Sequence, residues 1–180
     1  MKKLMILSTG GTIACTQTAD GLIPTLSADD ILAYAPEAKR LGIIETRTIL
    51  NLDSSNIQPE EWRLIAGAIF ECLPDYDGIV VLHGTDTMAY TASALSFLLP
   101  NLSKPVILTG SQLSLENVRS DGREHIITAI LLAGTAPVPL HVVSAFMDTK
   151  ERLSKERAIA EIGAQGAWVW RTEEPMPPIV

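Results

Sequence analysis

The 180-residue chain is poor in cysteine, in cationic charge and in long apolar runs, and each shortage narrows what it can be. Two cysteines, Cys15 and Cys72, form neither a disulfide framework nor a metal-ligand cluster, and they suit a reduced cytoplasm. No apolar run reaches the ~18 residues of a membrane span. The opening Met1-Lys2-Lys3-Leu4 leads into an apolar stretch that stops at Gly10, which reads as a strand and not as a secretory signal. With 14 Lys and Arg against 21 Asp and Glu, the net charge of -7 argues against nucleic acid and anionic membranes as partners. Neither the Gly-x-Gly-x-x-Gly dinucleotide fingerprint nor a Gly-Lys-Ser/Thr loop occurs at the glycine-rich segment. There is no internal repeat and no low-complexity stretch. What remains is a globular cytoplasmic chain, 47% apolar and 19% charged, of one domain, acting on a small molecule.

Strand-like and helix-like segments alternate along it. The runs 4–8 (LMILS), 78–82 (GIVVL) and 105–108 (PVIL) are unbroken apolar strands, with weaker strands over 45–50, 141–146 and 167–170. Ser27 followed by Asp29 and Asp30 opens a short helix that stops before Pro36. Pro59, Glu60 and Glu61 open another, with Trp62, Ile65, Ala66, Ile69, Phe70 and Leu73 at helical spacing and Pro74 beyond its end. Residues 87–99 are apolar almost all round, which predicts a largely buried helix. Asp121 to Glu124 resembles a capping box for a helix closing at Gly134, and 148–151 caps a last helix closed by Gly163. This pattern predicts an α/β fold, flavodoxin-like and three-layered, with a mostly parallel sheet and helices on both faces. Ligands in such sheets bind beyond the carboxyl ends of the strands.

Four loops lie at that edge: 9–12, 51–56, 83–87 and 109–112. All are rich in Gly, Ser, Thr or Asp. In Thr9-Gly10-Gly11-Thr12, the bland reading is a Gly-Gly turn with a satisfied threonine. The sharper one is that the glycines let backbone approach a ligand while Thr12 offers a nucleophilic oxygen. In 82–90 (LHGTDTMAY), Gly84 makes a turn. Asp86 either caps the next helix or accepts an ammonium group, with Thr85 relaying a proton. A lone His83 at a strand end reads as structural. Asp53, Ser54, Ser55 and Asn56 form either a polar helix start or a carboxylate site.

Together these segments resemble the bacterial-type L-asparaginase family, in particular its cytoplasmic type I branch. The stretches are TGGTIA (9–14), LDSSNIQPEEW (52–62), DYDGIVVLHGTDTMAYTASALSFLL (75–99), KPVILTGSQ (104–112) and RSDGREHIITAILLA (119–133). The resemblance is strongest over 1–147. It implies hydrolysis of asparagine to aspartate and ammonia without metal or cofactor, with Thr12 as nucleophile, Thr85 as second threonine and Asp86 on the substrate's α-amino group. It also implies a substrate-binding set of Asp53, Ser54 and Ser55, together with Gly11 and Gly84. Amide cleavage is consistent with such a set, because an activated hydroxyl and donors for the developing oxyanion are both required.

Three departures from the family pattern stand out. Leu22 occupies the place of a tyrosine that in many members bonds the nucleophile. The family's activating lysine has no clear counterpart in DTKERLSKERA; Lys155 is the first choice and Lys150 the second, against a solvated charged face. Most members carry a second, smaller domain. The expectation here is a single N-terminal-type domain over 1–180 without it, as a natural short form or a truncated one, assembled as a homo-oligomer, dimer or tetramer. Two rival functions are an amidotransferase-like subunit acting on tRNA-linked glutamyl groups and a catalytically weak amino-acid-binding domain.

Overall fold

The computed structural model describes residues 1–19, 21–135, 142–145, 159–163 and 166–167. Its strands are β1 (Lys3–Gly10), β2 (Cys15–Thr18), β3 (Gly21–Pro24), β4 (Ile43–Leu52), β5 (Gly78–Leu82), β6 (Val106–Thr109), β7 (Val142–Ala145), β8 (Ile159–Gly163) and β9 (Gly166–Ala167). The helices are α1 (Ala28–Ala33), α2 (Pro59–Cys72), α3 (Met88–Leu98) and α4 (Gly122–Thr135). The main sheet runs β4-β1-β5-β6-β7-β8-β9, and β2 and β3 form a separate hairpin. The first five strands pair in parallel and β8 and β9 join antiparallel. Counted among themselves, the parallel strands lie in the order 2-1-3-4-5, the flavodoxin-like arrangement.

Strand side chains alternate between two cores. Met5, Leu7, Ile79, Val81, Val106 and Leu108 pack on one face with Ile65 and Ile69 of α2 and Ala92 and Leu95 of α3. Leu4, Ile6, Val80, Leu82 and Ile107 pack on the other with Ile31 of α1 and Ile126, Ala129 and Ile130 of α4. Burial on both faces is why these strands read as unbroken apolar runs. α1 carries the expected cap: Ser27 accepts the Asp30 N–H at 3.2 Å and its own N–H donates back to the Asp30 carboxylate at 3.0 Å. The Ser27 hydroxyl also donates to that carboxylate at 2.6 Å, and this bond, followed by the one from the Ser27 N–H, holds Asp30 below the usual carboxylate range.

Several expectations need correction. The Cys15–Pro24 hairpin has no counterpart among the strands expected from sequence. Residues 159–163, expected at the end of a helix, form a strand on the β7 edge, which extends the ladder and covers an otherwise unpaired edge. Phe70, placed on the buried stripe of α2, is 70% exposed, while Ala68 and Cys72 are inside. α3 is only half buried: Tyr90, Phe97 and Leu98 face outward. Asp121 does not form the expected box with Glu124. Its carboxylate turns back and accepts the N–H groups of Gln112 at 3.0 Å and Leu113 at 3.2 Å.

The layers meet closely at Gly78, where an added Cβ would overlap the Ala133 carbonyl of α4. Gly78→Ala should therefore lower stability by about 1–3 kcal/mol, the range of an overpacked core. A urea titration with a lower midpoint and unchanged slope would register this, and an unchanged midpoint would refute it.

Candidate active site

The carboxyl ends of β4, β1 and β5 lie side by side, and the order reverses at β1, so the crevice beyond them is where a ligand fits. Gly10 and Gly11 leave β1 with φ of 106° and 74°, a region that favours glycine. The Gly11 N–H donates to the Leu52 carbonyl at 2.8 Å, which ties the end of β1 to the end of β4. A Cβ on Gly11 would overlap the Gly84 backbone. A Cβ on Gly84 would overlap the Ser54 side chain and lie 3.2 Å from the Gly11 Cα. Three loops from three strands thus touch through atoms that only glycine leaves free.

Thr12 and Thr85 each follow one of the two touching glycines, and both are half-buried. Asp86 is exposed beside Thr85. Among the described residues, the Thr12 and Thr85 hydroxyls and the Asp86 carboxylate make no hydrogen bond. Asp86 does not cap α3, whose N-cap is Thr87. Two nearby hydroxyls are engaged: Thr9 donates to the Leu82 carbonyl at 2.9 Å and Ser111 to the Leu113 carbonyl at 2.7 Å.

Asp53 caps the short 54–56 turn. Its carboxylate accepts the Ser55 N–H at 2.8 Å and the Ser55 hydroxyl at 2.6 Å. Those bonds, the hydroxyl's first, hold Asp53 below the usual carboxylate range. Ser54 is 3% exposed and lies under Gly84, whereas Ser55 is exposed. Cys15, which donates to the Gly11 carbonyl at 3.4 Å, is pushed up by burial and then by the Asp53 charge, so it stays a thiol. Leu22 lies on β3, 52% exposed, with no group able to move a proton. Lys150 and Lys155 fall outside the described residues, and so does the whole DTKERLSKERA segment.

The family described as "Asparaginase, N-terminal" matches residues 3–163. The chain belongs to the asparaginase family. The L-asparaginase of Thermococcus kodakarensis is 51% identical over 147 residues, covering 81% of this chain and 44% of that protein. A glutamyl-tRNA(Gln) amidotransferase subunit of Methanopyrus kandleri is 38% identical over 143 residues, covering 77% of this chain and 31% of that protein. The solved L-asparaginase I of Vibrio cholerae superimposes with a TM-score of 0.74 at 34% identity, over 97% of this chain and 57% of that one. This asparaginase-family chain therefore spans less than half the length of these two sequence relatives.

Two residues of this asparaginase-family edge were not singled out for it from sequence. Thr87 donates its hydroxyl to the Ser54 carbonyl at 2.8 Å. His83, read as structural, is fully buried, and its Nδ1 lies 2.7 Å from the Gly84 carbonyl. A carbonyl only accepts, so Nδ1 carries the proton, and Nε2 is buried without a partner among the described residues. The signal for either in the sequence is weak, a polar residue flanking a glycine turn.

Burial holds His83 below its ordinary value of 6.5, against a smaller upward pull from its bond to Gly84. Below that ordinary value the unfolded chain takes up a proton that the folded chain does not. Stability should therefore decline as pH falls from about 6.5 down through the lower folded value. Denaturant midpoints followed from about pH 8 to about pH 5 should show this decline, and His83→Asn should flatten it. Equal slopes in the two proteins would remove His83 as the cause.

Proposed function

We propose that the protein hydrolyses the side-chain amide of L-asparagine to L-aspartate and ammonia through Thr12. The Thr12 oxygen attacks the carboxamide carbon, its proton passing through Thr85 to the departing nitrogen. The C–N bond breaks, ammonia leaves and an ester to Thr12 remains. Water then attacks that ester, aspartate leaves and the hydroxyl is restored. Asp86 accepts the substrate's α-ammonium. The Ser55 proton is committed to Asp53 and the Gly11 N–H to the Leu52 carbonyl, so Ser54 and the Gly84 N–H are the donors left for the anionic oxygens. Lys155 is the residue proposed to lower the proton affinity of Thr85, with Lys150 as second choice. No cofactor or metal enters the scheme, and a cytoplasmic homo-oligomer is the proposed setting.

The observation that carries this reading is the Gly11–Gly84 contact, which makes neighbours of two loops whose next residues, Thr12 and Thr85, hold hydroxyls that no described residue engages. Relatives named L-asparaginase support the reaction class. The relatives named as subunits of a glutamyl-tRNA(Gln) amidotransferase support a second reading, hydrolysis of a glutaminyl amide coupled to tRNA, against which the net charge of -7 weighs.

Ammonia release by the purified chain tests both readings. Thr12→Ala should lose about 10⁴-fold or more in turnover with asparagine. Thr85→Val should also cripple turnover while the thermal midpoint stays near that of the wild type. Full activity in Thr12→Ala refutes the nucleophile, and release from glutamine that depends on added tRNA favours the second reading.

A further inference from the structure

Thr87 precedes α3 as its N-cap, yet its side chain makes no bond to its own helix. Threonine at an N-cap ordinarily turns its hydroxyl back onto the N–H two or three residues ahead. Here the hydroxyl donates 2.8 Å away to the Ser54 carbonyl, 33 residues earlier in the chain. The Thr87 carbonyl still accepts the first helical bond, from the Thr91 N–H at 3.0 Å, so the helix starts normally without the side-chain cap. Among the described residues this is the one hydrogen bond between the 53–56 turn and the 84–87 loop. The other link between them is steric, the Ser54 side chain lodged under Gly84. A steric contact limits approach but does not resist sliding or separation. A hydrogen bond resists both, because it weakens steeply off line.

We infer that Thr87 is a positioning residue that straps the 53–56 turn to the 84–87 loop. The strap keeps the groups that bind the amino-acid end of the substrate in register with those beside the amide. The inference rests on the asparagine reading above, and it adds to it a residue that touches no reacting atom. It explains why a helix start forgoes an available cap. The hydroxyl is used between loops, where it fixes Ser54 and Asp53 relative to Thr85 and Asp86.

The test compares Thr87→Val, which removes the hydroxyl at nearly the same shape, with Thr87→Ser, which keeps it, in the full chain. Thr87→Val should raise the KM for asparagine about five- to tenfold, the size of one hydrogen bond's net contribution, with a smaller change in kcat. Aspartate binding followed by calorimetry should weaken by a similar factor, and Thr87→Ser should restore both. The backbone amide resonances of 53–56 and of 84–86 should both move in Thr87→Val and stay in place in Thr87→Ser. A helix cap alone would shift only 87–91 and would leave KM and aspartate affinity alone, and that result overturns the proposal. If the wild type neither releases ammonia nor binds aspartate, the asparagine reading falls by itself. The amide resonances then decide the strap on the same criterion. Thr87→Ala serves in place of Thr87→Val should valine prevent folding.

Discussion

The site depends on one contact: the backbones of Gly11 and Gly84 meet with no Cβ between them, and Ser54 closes the gap from the third side. Each of these residues follows a different parallel strand, and the strands end at one level because their register is set by the ladders among β4, β1 and β5. A methyl group on either glycine would force the loops apart. Positive φ at Gly10 and Gly11 adds a conformational reason to the steric one. The contact places residues 12 and 85 beyond the touching atoms without any side chain having to find its partner.

Behind this contact, polar groups divide into two kinds. Thr9, Ser111, His83 and Asp121 are buried or nearly so, and each bonds to a backbone group at the end of a strand or in a nearby loop. They supply the bonds that the loops cannot form in a ladder, as buried backbone polar groups require. His125 belongs to the same set, with its Nδ1 2.7 Å from the Gly110 carbonyl. Gly110 in turn lies so close to the His83 carbonyl that a side chain there would overlap it. The loops after β5 and β6 are therefore locked from below by the same pair of strands.

Most of the sheet was legible in the sequence because a strand buried on both faces cannot hide its composition. GIVVL reads as a strand in any context, and the observed limits of β5 match the run. The failures have physical causes. CTQT and GLIP carry little apolar signal, so the hairpin they form escapes a reading based on buried runs. Residues 159–163 follow a charged stretch that suggests a helix, yet the unpaired β7 edge captures them as a strand. An all-round apolar α3 suggests full burial, but one face of the helix remains outside the core and keeps Tyr90 and Phe97 exposed. At the candidate site, motifs alone pointed to the glycines, the hydroxyls and Asp86 as proposals, and they carried no sign of the contacts among those segments. The Gly11–Gly84 approach and the Thr87–Ser54 bond join residues far apart in sequence, and local spacing carries no trace of them.

The unengaged groups gain meaning from the engaged ones. A threonine hydroxyl without a partner is ordinary on an open surface, since water satisfies it. Thr12 and Thr85 are half-buried at an edge where the neighbouring hydroxyls of Thr9, Ser55, Thr87 and Ser111 are all bonded to protein. Side-chain chemistry does not explain this difference, because all six residues carry the same functional group. Position does. The bonded hydroxyls tie loops to strands, to one another or within their own turns, and Thr12 and Thr85, which no described residue engages, follow directly on the glycines that bring the loops together, with the likewise unbonded Ser54 hydroxyl under Gly84. Their lack of a partner among the described residues, beside a buried histidine held neutral and a Cys15 thiol raised by burial, is the physical reason behind proposing this pair.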